Sequence, residues 1–345
     1  MPASAFRRLL SVLVLGTLGA LASFGAPQPS YVRLSGGVAG YDFGDIALEY
    51  GLRLHAYQGK YEFHRGQNKI VFSPPRKEFL FNGIKIVPGY APVTCNSTPP
   101  TSGFSKVVGR WLKENESFPA VAVSRSDWQS TLRPLLSPGQ VPTHKIARIT
   151  LDAGHGGADT GARGRKSMEK NLTLRITLRV AEILRACGYK VSLTRKDDST
   201  VRLEQRPQLQ RRHRSDLFVS IHVNATDNRS VTGIETFALT PADAPSSHGK
   251  KELVRHPANC RDANNLLLAY CLQRAMIKRT GAADRGVKRA RFAVLRDIAA
   301  PGALVEVGFI SNEHEEDLLN RKEYTEKIAR AIAEGIISYH RLLKR

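Results

Sequence analysis

The sequence predicts an α/β fold with a largely parallel twisted sheet and helices on both faces, preceded by a small mostly-β domain. From residue 145 onward, apolar strands alternate with amphipathic helices, which is typical of a parallel sheet with helical crossovers. Before residue 138, short alternating segments are separated by proline and glycine, which is typical of a small β unit. We therefore expect an accessory domain over 30–137, a linker over 138–144 and a catalytic domain over 145–345.

The accessory domain has the pattern of short strands joined by tight turns. Asn82-Gly83 lies between two apolar segments and is a strong hairpin signal, because both residues readily take positive φ. Segments 48–51 and 128–136 are predicted as short helices. Strands are predicted over 52–57, 69–73, 78–81, 84–87 and 120–123.

The catalytic domain alternates between the two periodicities. Leu172, Ile176 and Val180 recur at helical spacing after Glu169, and Gly188 ends that helix. Strands are predicted over 146–151, 190–194, 217–223, 233–239, 292–295 and 303–307. Helices are predicted over 169–186, 202–214, 263–278 and 322–343.

The N-terminus predicts export. Arg7 and Arg8 precede an apolar run over 9–21, and Ala20-Leu21-Ala22 matches a small-residue cleavage site, so we predict a signal peptide over 1–25. A membrane anchor is the alternative, but the run is shorter than the roughly 20 apolar residues of a span. We expect the periplasm or another exported place in the cell envelope, with no stable membrane span.

Charge and cysteines narrow the partners. The formal net charge of +21 predicts attraction to a polyanion, whether nucleic acid, anionic lipid or an acidic envelope polymer. Nucleic acid is not expected as a partner, because the protein is predicted to be exported and its scattered basic residues have no aromatic platform among them. The four cysteines permit disulfides outside the cytoplasm, and their pairing stays open. The sequence contains no C-x-x-C pair, so a metal site made of cysteines is not indicated.

Two histidines and three carboxylates fall at one edge of the predicted sheet. Asp152 and His155 follow the first strand, His222 ends another, Glu306 lies in a late strand, and Glu169 opens a helix. A catalytic zinc takes three protein ligands and keeps one position for water. His155, Glu169 and His222 supply that Zn²⁺ set, which leaves Glu306 as the base.

Each residue also has an ordinary structural interpretation. A single histidine at a strand end is more often structural, and a glutamate at a helix start interacts with the helix dipole. The glycines around His155 could mark a phosphate-binding turn, although neither a dinucleotide nor a P-loop pattern is present. The shared strand edge favours the metal site.

Four blocks resemble the zinc-dependent N-acetylmuramoyl-L-alanine amidases of the Amidase_3 type, over roughly 145–343. In that family the two histidines and the first glutamate of these blocks bind zinc, and the last glutamate is catalytic. The resemblance thus implies zinc binding by His155, Glu169 and His222, catalysis by Glu306, and peptidoglycan as substrate. The blocks are Asp152-Ala153-Gly154-His155-Gly156-Gly157, Glu169-Lys170-Asn171-Leu172, Ser220-Ile221-His222-Val223-Asn224-Ala225 and Val305-Glu306-Val307-Gly308-Phe309.

The resemblance leaves some roles open. Asp152 could orient a ligand imidazole or bind backbone in the turn, and Asn264 could line the groove or start a helix. Arg163, Arg165 and Lys166 could meet stem-peptide carboxylates, although a solvated loop is the ordinary interpretation. Some relatives carry a helix that plugs the zinc site, but the prolines in 240–261 predict a loop without a plug.

The accessory domain has a resemblance of its own. Phe72-Ser73-Pro74, Phe81-Asn82-Gly83 and Ser126-Asp127-Trp128 resemble the stalk-like domains named after the N-terminal domain of copper amine oxidases. That implies a binding or positioning module without chemistry. The sequence does not say what this module binds, and it identifies no envelope regulator.

Two other functions compete with the amidase. A different zinc hydrolase, such as a peptidase that releases amino acids, would share the metal and the glutamate. A non-catalytic envelope protein could hold the anionic wall through its charge alone. The presence of all four expected site residues argues against that second alternative.

Overall fold

A computed structural model describes residues 31–34, 38–74, 76–96, 119–247 and 254–344. The predicted signal peptide over 1–25 lies outside these residues. The chain forms two compact units, one over 1–83 with 91–125 and the other over 84–90 with 126–345. The predicted domain boundaries stay predictions.

The strands are numbered along the chain. They are β1 Tyr31–Arg33, β2 Ala39–Asp42, β3 Arg53–Tyr57, β4 Lys60–Arg65, β5 Asn68–Phe72, β6 Phe79–Phe81, β7 Ile84–Ile86, β8 Val93–Asn96, β9 Pro119–Ser124, β10 Arg148–Ala153, β11 Lys190–Leu193, β12 Leu217–Asn224, β13 Ile234–Leu239, β14 Asp284–Ala290 and β15 Gly302–Phe309.

The helices follow the same convention. They are α1 Phe43–Glu49, α2 Arg125–Asp127, α3 Arg133–Leu136, α4 Glu169–Ala186, α5 Gln205–Arg212, α6 Asp262–Thr280, α7 Ala293–Arg296, α8 Glu313–Asn320 and α9 Lys322–Leu343. A π-helix spans Trp128–Leu132, and 3-10 turns span Pro138–Gln140 and Pro257–Arg261.

The first unit is a small β structure, as predicted. Strands β3 to β6 form an antiparallel meander, and β1, β2, β9 and β8 form a second antiparallel sheet in that order. Phe43 of α1 packs edge-on against Phe63 and Phe72, with ring centroids 4.6 and 4.9 Å apart. Aromatic packing of this kind gives a small unit a core of its own.

The sheet of the second unit is mixed, so the prediction of a largely parallel sheet was wrong. Its order is β11-β10-β12-β15-β13-β14-β7, and β13 runs antiparallel to β15 while the other neighbours are parallel. The cause is the connection over 225–233, which is too short for the helical crossover that parallel strands require. The chain therefore turns back after β12.

A second local prediction was also wrong. A strand was predicted over 292–295, but residues 293–296 form the short helix α7 with Phe292 as its N-cap, and the strand lies just before them, in β14. A four-residue apolar run fits a buried helical turn as well as a strand. The strand β14 was not predicted because Gly286 interrupts its pattern, and glycine is unfavourable inside strands.

Helices cover both faces of this sheet. Helix α9 packs against α4 and α6, and these helices lie on one face. On the opposite face, Phe218, Phe237 and Leu304 form a core cluster with Val294 and Leu295 of α7. This second face also carries the polar side chains described below, because side chains alternate along each strand.

Two further predictions meet the described residues only in part. Over 240–247 and 254–261 the chain forms turns and the 3-10 segment, without an α-helix, while 248–253 lie outside the description. Cys187, Cys260 and Cys271 are free thiols, and the side chain of Cys95 is not described. Among the described residues, no helix combines the length and apolar character that a membrane crossing needs.

Candidate functional site

Three neighbouring strands place one histidine and two glutamates in a row across one face of the second sheet. His222 of β12 lies opposite Glu306 of β15, and Glu306 lies opposite Glu235 of β13. Directly opposite residues on paired strands point to the same face, with Cβ atoms roughly 5 Å apart. The row lies where β10, β12 and β15 approach their carboxyl ends, as the sequence predicts.

His155 follows β10 in a backbone conformation that favours glycine. Its φ is +61°, which places a bulky residue in the left-handed region. Such strain persists only where surrounding contacts hold it, and it is concentrated at functional sites. The preceding Gly154 has no room for a side chain, since a Cβ there would lie 2.4 Å from Cε1 of His222.

Glu169 lies between the two imidazoles. Its Oε2 is 3.1 Å from Nε2 of His155, and its Oε1 is 2.9 Å from Nδ1 of His222. Backbone N–H groups of Ala162 and Val223 donate to the same two oxygens at 2.9 and 3.0 Å. Burial acts to raise the Glu169 pKa, but the two imidazoles lower it well below its usual range.

Asp159 is a site residue whose role the sequence analysis missed. Its Oδ2 lies 2.9 Å from Nδ1 of His155, so the carboxylate fixes the ring with Nε2 turned towards Glu169. Burial acts to lower the His155 pKa, but Glu169 and Asp159 together raise it. The sequence signal that could have indicated this role is that Asp159 follows the candidate ligand His155 by four residues.

Asp152 has neither of the two predicted roles. It is fully buried and accepts hydrogen bonds from the hydroxyls of Thr194 and Ser220 and from Nη1 of Arg206, each at 2.7 Å. Burial acts to raise the Asp152 pKa, yet Arg206 and the two hydroxyls hold it below its usual range. Arg206 also donates to the carbonyl oxygen of His155 at 2.9 Å, so Asp152 reaches the turn through this arginine.

Glu306 is buried and incompletely hydrogen-bonded. Its Oε2 has no hydrogen-bond partner among the described residues. Burial, followed by the charges of Glu169 and Glu235, raises the Glu306 pKa well above its usual range, while Lys288 opposes this. An unpartnered buried carboxylate oxygen on the strand position opposite His222 has the environment typical of a general acid or base.

A second cluster beside Glu306 was not predicted as part of the site. Glu235 is buried, and its Oε2 accepts from Nε of Arg285 at 3.0 Å and from Nζ of Lys288 at 2.5 Å. Its Oε1 accepts from Nδ2 of Asn224 at 2.9 Å. Arg285 lies 50 positions after Glu235 in the chain, and no pattern in the sequence pairs the two residues.

The other residues that the sequence suggested for the site make structural contacts instead. Asn264 is buried, and its Nδ2 donates to the carbonyl of Pro142 and to Oη of Tyr339, so it ties α6 to α9. Arg165 and Lys166 pair with acidic residues of α8 at 3.4 and 2.7 Å. Arg163 donates to Thr160 Oγ1 at 3.3 Å.

The cluster has the donors that a zinc ion requires. One ligand atom each from His155, Glu169 and His222 lies within 4.8 Å of the others, the one such group found among the described residues. Two imidazole nitrogens and one carboxylate oxygen suit Zn²⁺, and three protein ligands leave a fourth position for water. The orphaned oxygen of Glu306 beside this set fits a water held there.

The chain is similar to proteins of one enzyme family. The N-acetylmuramoyl-L-alanine amidase family signature matches residues 149–338. AmiA of Escherichia coli (strain K12) is 35% identical over 217 residues, which cover 55% of this chain and 75% of AmiA. AmiA of Salmonella typhimurium is 34% identical over 244 residues, which cover 63% of this chain and 84% of that protein.

The chain is also similar to a solved structure. The catalytic domain of CwlV, an N-acetylmuramoyl-L-alanine amidase of Bacillus (Paenibacillus) polymyxa var. colistinus, is 31% identical with a TM-score of 0.49. The match covers 57% of this chain and 99% of that one. Because the family signature covers more than half of the chain, this protein belongs to the N-acetylmuramoyl-L-alanine amidase family.

Proposed function

We propose that this protein hydrolyses the amide between the lactyl group of N-acetylmuramic acid and L-alanine in peptidoglycan, during cell-wall remodelling or cell separation. The observation that carries the proposal is the meeting of His155, Glu169 and His222 beside buried Glu306 in a chain of this family. The net charge of +21 suits an acidic envelope polymer as substrate.

Zinc is the metal that this donor set favours. His155, Glu169 and His222 would hold it, with Asp159 fixing the ring of His155. When bound, zinc would polarise the scissile carbonyl and lower the pKa of a water molecule at its fourth position. The ionised form of Glu306 would also be favoured, because a nearby cation opposes the effect of burial and the neighbouring carboxylates.

Glu306 is the proton carrier in this scheme. Its Oε2 takes the proton of the attacking water and later gives it to the nitrogen of the departing L-alanine. One carboxylate serves both steps, since the acid formed in the first is the donor needed in the second. Its burial keeps bulk water from exchanging that proton between the steps.

The accessory unit and the location complete the proposal. We infer that the small β unit is a binding or positioning module, similar to the stalk-like domains named above, and that the protein works in the periplasm or elsewhere in the envelope. The sequence does not identify any envelope protein that would regulate the enzyme. N-terminal sequencing of the exported protein tests the signal peptide over 1–25.

Product analysis separates the amidase from its alternatives. Purified peptidoglycan is incubated with the zinc-loaded protein, with and without a chelator, and the products are identified by mass spectrometry. We expect intact stem peptides and peptide-free glycan strands, lost on chelation and restored by zinc. Shortened peptides with free amino acids would identify a peptidase, and retention on the wall without products would identify a binding protein.

A further inference from the structure

Arg285 lies beside the site with two of its nitrogens unused. Its guanidinium lies over the ring of Phe309, 4.9 Å from the centroid, and its Nε donates to Oε2 of Glu235. Nη1 and Nη2 make no hydrogen bond to any described residue, and the side chain is 34% exposed. Stacking and the Nε bond hold the fork in place while its outer edge faces solvent.

A bulge in the sheet gives Arg285 this direction. The register between β13 and β14 shifts after Ile234, so that Glu235 lies opposite Gly286 and Arg285 is the extra residue. Gly286 has a φ of +91°, and a Cβ there would lie 2.8 Å from the carbonyl oxygen of Lys85. Bulges of this type redirect a side chain and are frequent next to active sites.

Two basic side chains converge on the carboxylate of Glu235. Arg285 and Lys288 both bind its Oε2, while Asn224 binds its Oε1 as a neutral donor. Two cations therefore share the carboxylate of Glu235, and both lie near Glu306 on the neighbouring strand. Fixed positive charge at the wall of a cleft attracts and orients an anionic group.

Other basic side chains near the two ligand blocks are already engaged. Arg165 pairs with Glu313, and Lys166 pairs with Asp317, on the surface of α8. Lys170 binds Asp198 at 2.7 Å and the carbonyl of Gly157. Arg285 differs from them because its open fork lies on the same face as Glu306.

We propose that Arg285, assisted by Lys288, binds a carboxylate on the residue that follows L-alanine in the stem peptide. This rests on the proposed function. Glu235 lies two strands from His222, which is about 10 Å across the sheet. A carboxylate on the next residue lies within about 7 Å of the scissile nitrogen, so an arginine side chain spans the difference. The Nη pair matches such a group with two parallel hydrogen bonds.

Paired substrates test the subsite. Two muropeptides that differ only in a free α-carboxylate or a carboxamide on the residue after L-alanine are compared by kcat and KM. We expect the zinc-loaded protein to prefer the acid by about tenfold, because a charge-assisted bond replaces water. Arg285→Gln removes the preference through KM on the acid alone, since Lys288 and Asn224 still satisfy Glu235, and Arg285→Lys restores part of it.

A matched control and a binding measurement keep the two proposals apart. Arg165→Gln removes the same charge from an exposed pair and leaves the preference intact. Calorimetry with the released acid and carboxamide peptides on the zinc-loaded protein reports the same discrimination without turnover. If neither muropeptide is cleaved, the proposed function fails, while Arg285-dependent binding of the acid peptide still supports the subsite. Equal loss on both substrates in Arg285→Gln, or no preference in the parent protein, overturns the subsite.

Discussion

Asp152 and Arg206 form a buried ion pair, with Oδ1 and Nη1 2.7 Å apart, next to the backbone that carries His155. Arg206 donates to the carbonyl oxygens of Ala153 and His155, and Arg195 donates to those of Ala153 and Gly154. Three consecutive carbonyls are therefore held by two buried guanidinium groups. These bonds fix the turn in which His155 takes its strained φ of +61°.

Asp152→Asn should destabilise the protein strongly. The substitution leaves the buried charge of Arg206 without a partner, and breaking a buried pair from one side costs about 3–5 kcal/mol. Asp317→Asn removes a carboxylate from an exposed pair and should change stability little. Urea unfolding of both variants checks the difference, and an equal small effect would contradict this account of the ion pair.

Gly154→Ala should weaken metal binding without unfolding the protein. The new Cβ would lie 2.4 Å from the His222 ring, which has to shift out of reach of a common metal position. We expect at least about a tenfold loss of zinc affinity, the loss typical when a ligand's support is disturbed. Gly139→Ala is the control, because nothing lies within 4 Å of its Cβ. Competition with a chromogenic chelator measures both, and equal affinities would refute the steric argument.

Glu306→Gln should remove turnover and keep zinc. The amide cannot accept and return a proton, and general acid–base groups contribute about 10²–10⁴-fold to rates. Zinc content measured by atomic absorption should match that of the parent protein. Glu313→Gln, on the exposed surface of α8, serves as the control. Activity retained in Glu306→Gln would rule out the proposed proton carrier.

His155→Ala and His222→Ala should each lose the metal. With one imidazole gone, two of the three proposed ligands remain, which is below the set a catalytic zinc requires. The variants should purify with little zinc and should be inactive. Adding zinc should restore little of the activity. His64→Ala, in the first unit, changes a histidine outside the site and should keep the metal. A His222→Ala protein with full zinc content would show that the ligand set was assigned wrongly.

Asp262 should give the protein a specific pH dependence of stability. Burial raises its pKa to about 6 against the partial opposition of Arg289. A pKa raised by folding means that the folded state holds more protons between the two values. The contribution of Asp262 is thus complete below pH 4, its unfolded pKa range, and is lost as the pH rises towards 6.

Asp262→Asn separates this contribution from other titrations. The asparagine keeps an acceptor for Asn259 and cannot ionise. Relative to the variant, the parent protein should lose about 2 kcal/mol of unfolding free energy between pH 4 and 6. Chemical denaturation across that range measures the difference, and parallel curves for the two proteins would count against it.

The sequence predicted which side chains meet at the candidate site better than it predicted the shape of the sheet. Glu169 and the two histidines carry their own signals, because metal-binding side chains at strand ends and a helix start are readable without coordinates. Helix α4 was predicted with its observed limits, since a long amphipathic period is unambiguous. The direction of β13 depends on the length of one loop, which hydrophobic periodicity does not report.

The supporting residues were harder to predict for a physical reason. Glu235 and Arg285 meet only because β13 and β14 lie side by side with a shifted register, a pairing that local sequence does not encode. Arg206 reaches His155 across 51 positions of sequence, from a helix that reads simply as polar. Such contacts follow from tertiary packing, whereas the proposed ligands follow from residue type.

The reversed direction of β13 divides the sheet into two rims with different tolerance for change. Segment 225–233 joins β12 to β13, and segment 281–283 joins α6 to β14, both at the rim that bears the histidines. Lengthening either segment would therefore disturb the chemistry. The segment after Leu239 leaves at the far rim, a strand length of about 20 Å away. Evolution or a protein engineer could therefore graft new sequence there, and even a reporter domain, while leaving catalysis intact.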